Sequence, residues 1–503
     1  MRASEQMSGF PGVGSWIERR ARVAPNDVAL VHGATRRTYS ELAERVSRLS
    51  SGLRELSVMR GDRVGWLGEN HPAFLETLFA AARLGAVFAP INHRLPTPTV
   101  AGLLEDYAVK LVVIEAAEVA VDLPTGVLAV HIRHGMRAES FEDLIVGAPA
   151  TAAPEDVGPD DVCIMPHTSG TTDRPKGVML THANVTWNAV NMLSVADLRS
   201  DDVTLALAPL FRTGGMGVNV LPLLFKGGTV VLPGAATPDD VLRAIERERV
   251  TVGFGNPDQL DALTQSCAWG TADLSSVRFI ITGGAPVPER LIRAYGDRGV
   301  TFLQGYGLSE ASPVVSVLDA TNGPRKPGSA GRPVLFVDVR AVRRDGSECA
   351  PLETGELLVK GPTVMAGYWD RPDATRSVID ERGWLRTGDA ARIDTEGFLW
   401  IVDRAGNAFT SDGHTVYPGD VERCIGEHPA VRDVGVVGID GSGHAFVALH
   451  NGRGATAADI LQHCRARLEP HAVPASVTFV DALPRTSVGK LDRPALVQRA
   501  RPD

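Results

Sequence analysis

The chain has 503 residues, 44% hydrophobic and 22% charged, the make-up of a soluble globular protein too long for one core. Its 51 Lys and Arg against 60 Asp and Glu leave a formal charge of −9 with no local basic block, which argues against a nucleic-acid partner. The five cysteines (Cys163, Cys267, Cys349, Cys424, Cys464) show neither C-x-x-C nor metal-ligand spacing, so reduced thiols and a cytoplasmic location are expected.

At the N-terminus, Met1-Arg-Ala-Ser-Glu-Gln-Met lacks the apolar core of a signal peptide. Thr38-Tyr-Ser-Glu-Leu opens an amphipathic helix whose Leu42, Val46, Leu49 and Leu53 recur on one face, with a hydroxyl cap at its start. Gly61-Asp-Arg leads into a strand at 64–67, a helix from about Pro72 to Leu84 and a buried strand at 86–91. Arg83 interrupts the most apolar stretch, Leu78 to Pro90, which is too short to cross a bilayer, so no integral membrane segment is expected. Further strands at 111–114, 229–232, 251–254 and 279–282 alternate with helices, a pattern that predicts parallel-rich sheets covered on both faces.

Between these elements lies His167-Thr-Ser-Gly-Thr-Thr-Asp-Arg-Pro-Lys-Gly177. Thr168, Ser169, Gly170, Thr171 and Thr172 are small enough to wrap an anion with backbone N–H groups and hydroxyls, and Lys176 adds a cation. The run lacks the glycine spacing of G-x-x-x-x-G-K-[ST], so an ordinary P-loop is not indicated. From about residue 330 to 402 short strands at 339–342, 356–359 and 398–402, with Asp-Gly and Glu-Gly turns, predict a small β-rich subdomain. Residues 403–503 then form a small α+β domain with a helix near Ala457 to Leu468, and the Asp403–Gly406 segment is the expected hinge to a large domain spanning 1–402.

Three more motifs follow the hydroxyl-rich run in order: Gln304-Gly-Tyr-Gly-Leu-Ser-Glu310, Arg386-Thr-Gly-Asp389 with Asp403-Arg404 behind it, and Pro484-Arg-Thr-Ser-Val-Gly-Lys490. Together they resemble the ANL superfamily of adenylate-forming enzymes, and specifically its acyl-CoA synthetases and aryl-CoA ligases, over essentially the full length. The resemblance implies an α/β fold with a mobile C-terminal domain, and a reaction in which MgATP adenylates a small-molecule carboxylic acid, fatty or aromatic, before thioester formation with CoA. It also implies the site. Thr168, Ser169, Gly170, Thr171, Thr172 and Lys176 would hold phosphates, Tyr306 would stack on adenine, Gly284, Ala285 and Gly307 would also bind the nucleotide, and Ser309 would contact the α-phosphate. Thr168 and Glu310 would bind Mg²⁺, Asp389 would accept both ribose hydroxyls, and Arg404 would reach the ribose or phosphates. Lys490 would bring positive charge to the reacting phosphate.

Two departures bear on the second substrate. Ala208-Pro-Leu-Phe-Arg-Thr-Gly-Gly215 has Arg212 where such ligases carry His; an arginine there is suited to a small anion or second carboxylate, or equally to a structural ion pair. Expected pocket walls are Phe211, Arg212, Met216, Gly255, Gly283, Gly284, Ala285 and Ser312. In Asp403–Pro418, Gly406, Asp412 and His414-Thr415 replace the usual Lys or Asp, Gly and Glu-Asn of CoA-forming relatives, beside the expected pantetheine channel. Either this is drift in a tolerant loop, or the acceptor is not CoA, as in diazotase-like enzymes that activate nitrite for reaction with an arylamine. His167 and Asp173 also differ from the commonest Tyr and Gly around the phosphate loop.

Overall fold

A computed structural model describes residues 12–115, 122–132, 139–150, 154–168, 175–234, 236–285, 287–450, 452–485 and 491–501. By packing, the chain forms two compact units, Met1–Asp338 with Val359–Leu385, and Val339–Leu358 with Arg386–Asp503. The division falls at Leu385–Arg386, whereas the boundary expected from the sequence lies at residue 402.

The larger unit carries two mixed sheets. In the nine-stranded one, Val28–His32, Thr229–Leu232, Val203–Leu205, Val252–Gly255, Phe279–Gly283 and Thr301–Gly307 lie side by side and parallel. Antiparallel strands finish both edges. The eight-stranded sheet has a parallel centre built from Arg63–Leu67, Val87–Ile91 and Val109–Ile114. Most residues of these central strands are apolar and buried, as the continuous hydrophobic runs predict, with Arg63 and Lys110 the partly exposed exceptions.

Helix starts follow local chemistry. Thr38 caps helix Tyr39–Glu55: its hydroxyl accepts from Glu41 N (3.2 Å) while the Glu41 carboxylate accepts from Thr38 N (2.8 Å). The same reciprocal box opens the helices at His182, Pro238, Pro257 and Ala457. Helix Pro72–Arg83 is buried from Pro72 to Ala82, and so brings Glu76, with 0% exposure, into the core. Arg45 meets that carboxylate with two N–H groups at 2.7 and 3.1 Å, and Arg37 lies 3.3 Å away. A buried carboxylate is tolerable only with such partners.

The second unit holds a four-stranded sheet of Asp338–Val342, Gly355–Lys360, Leu385–Ile393 and Leu399–Arg404, and a three-stranded sheet of Val431–Ile439, Ser442–Leu449 and Ser476–Phe479. Strand Leu385–Ile393 has no counterpart in the sequence reading, since its Arg-Thr-Gly-Asp start breaks the apolar alternation, with Gly388 at φ 69°. Arg392–Asp420 (2.5 Å) and Asp403 to Gly419 N (2.7 Å) tie the first sheet to the C-terminal elements.

Two buried rings set the acid response. His182 Nδ1 accepts from Val13 N (3.0 Å), pinning the N-terminal segment, and burial pushes the ring down to about 4. His167 Nε2 accepts from Asn92 N (3.0 Å) and is likewise pushed to about 4 by burial. Each ring is neutral when folded and takes a proton on unfolding at a pH below its ordinary value of 6.5. Their stabilisation is therefore complete above pH 6.5 and lost as pH falls toward 4. Urea unfolding at stepped pH should show this decline, and His182→Gln should flatten it; an unchanged slope would remove His182 from the account. Glu76→Ala is expected to destabilise the larger unit by about 3 kcal/mol, since it takes the carboxylate from Arg37 and leaves Arg45 with Glu142 alone, read as a lowered midpoint of that unit's transition.

Candidate active site

The larger unit gathers its candidate residues at the C-terminal ends of parallel strands, where open α/β sheets bind ligands. Strands Phe279–Gly283 and Thr301–Gly307 pair in register with Gly283 opposite Gly305, so Gly284-Ala285 and Tyr306-Gly307 emerge beside one another. The backbones touch here: a Cβ on Gly283 would lie 2.5 Å from the Gly305 carbonyl oxygen, and one on Gly307 would fall on that of Pro313. Gly284 takes φ 85° and, with Ala285, is exposed.

Immediately after Gly307 the chain turns through Ser309–Ala311, and this turn collects contacts from two distant segments. Ser309 Oγ lies 2.9 Å from the Thr213 hydroxyl, which joins it to the loop carrying Phe211 and Arg212. Glu310 Oε1 accepts from the Tyr368 hydroxyl at 2.8 Å, and its carbonyl accepts from Met365 N at 2.9 Å. Tyr368 in turn lies under Lys176, whose ammonium is 5.3 Å from the ring centroid. The Ser309–Ala311 turn, the loop of Phe211 and Arg212 and the exit of the hydroxyl-rich run thus converge. Tyr368 belongs to none of the motifs read from the sequence; it lies in the short strand Gly367–Tyr368.

Thr168 and Lys176 flank the hydroxyl-rich run and meet: Thr168 N donates to Lys176 O (3.0 Å), beside a His167–Gly177 bridge. Ser169, Gly170, Thr171, Thr172 and Asp173 lie outside the described residues, as does Lys490.

Arg212 has no carboxylate within ion-pair distance among the described residues; its guanidinium lies 6.0 Å from the Phe211 ring centroid. The neighbouring Arg94, by contrast, is paired through both oxygens with Glu69 at 3.0 Å. Helix Thr213–Gly215 continues through a π-helical turn at Met216–Val220. Gly217 packs close enough to Pro313 that a Cβ would lie 2.5 Å from its ring, and its carbonyl accepts from Asn188 at 2.7 Å. A π turn of this kind often marks a functional position.

In the second unit, Asp389 and Arg404 face each other across paired strands, 3.2 Å apart, and Arg404 also donates to Thr387 O. Asp389 is 8% exposed. The base of the Lys490 loop is closed by an Arg485–Leu491 bridge and by Asp492 N on Pro484 O (2.9 Å). Asp403 accepts from Arg404 N (2.6 Å), Asn407 (2.7 Å) and Gly419 N (2.7 Å), which fixes the segment around the expected hinge. Gly406 sits in a short 3-10 turn, Ala405–Asn407, with open space beside it.

The unusual 409–416 stretch is a tight hairpin, Phe409–Ser411 with His414–Val416. Asp412 and Gly413 form its two-residue loop with φ 48° and 80°, the left-handed pair that Asp-Gly favours in a type I′ turn. Asp412 is exposed, and the His414 ring stacks on His471 at 4.3 Å. The aspartate is thus a turn-former at a position where glycine serves equally.

No helix among the described residues is long and apolar enough to cross a membrane. Gly283→Ala is expected to cost about 1–3 kcal/mol as overpacking and to weaken ATP binding, measured by calorimetry; wild-type stability and affinity would show that the strands part freely.

Comparison with known proteins places this geometry in a family. Residues 17–369 match the model of the AMP-binding enzyme and residues 420–490 that of the AMP-binding enzyme C-terminal domain. The chain is 44% identical over 488 residues to a feruloyl-CoA synthase of Amycolatopsis sp, covering 95% of this chain and 97% of the relative. It is 39% identical over 489 residues to an indoleacetate–CoA ligase of Aromatoleum aromaticum, covering 95% and 96%. Among solved structures, the anthranilate CoA ligase AuaEII in complex with anthranoyl-AMP superposes with a TM-score of 0.88 at 26% identity, covering 99% of both chains. The Mycobacterium tuberculosis fatty acyl CoA synthetase gives 0.80 at 33% identity, covering 97% of this chain and 98% of that one. The chain belongs to the AMP-binding enzyme family, within the ANL superfamily of adenylate-forming ligases.

Proposed function

We propose that this acid–CoA ligase acts on an aromatic carboxylic acid, and that its reaction runs through the residues gathered at the Ser309–Glu310 turn. The reaction class itself is that of an AMP-forming ligase: a carboxylate oxygen attacks the α-phosphorus of ATP, pyrophosphate leaves, and a CoA thiol then displaces AMP from the acyl adenylate. The observation that carries the residue assignment is the joining of Ser309 to Thr213 and of Glu310 to Tyr368 and Lys176. It puts an α-phosphate contact, a carboxylate and a cation within one connected group. The aromatic preference is supported by the feruloyl and indoleacetate ligases at 44% and 39% identity.

Glu310 suits Mg²⁺. It is a hard-oxygen ligand with one oxygen already oriented by Tyr368, and no group of three or more His, Cys, Asp or Glu that could hold a metal ion occurs among the described residues. The ion would therefore rely on one protein carboxylate, with phosphates and water supplying the rest, as Mg²⁺ prefers. Bound there, it would draw charge from the phosphates. Thr168 and Lys176, at the loop neck, would hold the departing pyrophosphate, and Ser309 would hydrogen-bond the α-phosphate. Gly284, Ala285, Tyr306 and Gly307 would receive the adenine, with Asp389 and Arg404 taking the ribose hydroxyls. Lys490 would neutralise the charge that develops as the anhydride forms. The free thiols favour a reducing compartment, the cytoplasm.

A panel of aryl, arylalkenyl and fatty acids, read by pyrophosphate release and thioester formation, tests the substrate class. Preference for fatty acids would overturn it. Lys490→Ala should abolish adenylation with ATP binding largely kept, so retained pyrophosphate exchange would refute that role. Asp412→Gly should leave thioester formation within about twofold of wild type, since both residues fit the turn; a large gain in thioester rate would instead mean that the aspartate obstructs CoA.

A further inference from the structure

Glu310 and Lys176 carry opposite charges on segments that both reach Tyr368, and a carboxylate and an ammonium brought together attract one another. No ion pair joins them among the described residues; Tyr368 stands between. Its hydroxyl donates to Glu310 Oε1 at 2.8 Å, and its ring face lies 5.3 Å from the Lys176 ammonium. One side chain thus engages the anion with its polar edge and the cation with its π face.

The mount of this side chain is stiff. Tyr368 pairs with Val178 in the strand that follows Lys176, and its N–H donates to Thr375 Oγ1 at 2.9 Å. Trp369 N donates to Gly177 O at 2.8 Å and the Trp369 indole to Asp106 O at 3.2 Å, with Arg63 over its ring. Tyr368 itself is 8% exposed, so it has little freedom to leave.

We propose that Tyr368 is a positioning residue that keeps Glu310 and Lys176 apart and separately oriented, so that neither charge is neutralised by the other before MgATP arrives. This rests on the reading that Glu310 takes Mg²⁺ and Lys176 a phosphate. Removing the ring brings the two charges together, and the nucleotide must then break their pair to bind.

Calorimetric titration of the purified full-length protein with ATP, in EDTA and with Mg²⁺, tests this. Tyr368→Phe keeps the ring and loses the hydroxyl: ATP affinity in EDTA should hold within about twofold, and the gain from adding Mg²⁺ should fall about tenfold. Tyr368→Leu should weaken ATP binding in EDTA about tenfold or more. Adding Glu310→Gln to Tyr368→Leu should restore binding in EDTA, because the amide no longer captures Lys176; a merely structural loss would not be rescued. Thermal unfolding confirms that each variant is folded. Wild-type EDTA affinity in the leucine variant, or failure of the double variant to recover, overturns the proposal. If Lys176→Met and Glu310→Gln alone leave MgATP binding unchanged, the underlying site reading fails instead.

Discussion

The contact on which the site depends is the hydrogen bond from Tyr368 to Glu310, set one residue from the Ser309–Thr213 bond. Three segments far apart in the chain meet at this turn: the exit of the hydroxyl-rich run, the loop of Phe211 and Arg212, and the end of strand Thr301–Gly307. The sheets exist to make that meeting reproducible. Parallel strands covered on both faces supply a rigid edge, and the loops leaving that edge supply the chemistry. Catalysis that consists of positioning and charge stabilisation needs this division, because small displacements of the donors are costly.

Much of the architecture was legible because burial imposes periodicity. The helix from Thr38, the strands at 64–67, 229–232 and 279–282 and the alternation of the larger unit all follow from apolar spacing and capping chemistry. Strand Leu385–Ile393 escaped because its start is polar and contains a left-handed glycine, so that pairing with Leu399–Arg404 rather than local pattern makes it a strand. The site was legible where a motif is continuous, as in Gln304–Glu310. Tyr368 was not, since its role arises only when the sheet edge carries it to Glu310, 58 residues away in sequence.

The departures in the chain acquire physical meaning in the same way. Asp412 has the conformation its turn requires, and Gly406 meets open space, so neither is a sign of an altered acceptor. This agrees with relatives that are named as CoA ligases across nearly the whole length. Arg212 differs from both. It has no carboxylate partner among the described residues while Arg94 beside it has one, so the ion-pair role considered for Arg212 finds no support there.

The close approach of Gly283 to Gly305 has an evolutionary corollary. A floor made of touching peptide groups cannot be repacked one side chain at a time, because the first added carbon already collides with a carbonyl. Change is therefore channelled away from the strand ends, and on the 208–216 loop, where Ala208, Leu210, Phe211, Thr213 and Met216 are themselves buried, it falls to the exposed Arg212, which can change size and charge without disturbing the sheet. Arg212 stands on that loop, at the place where this lineage has room to vary.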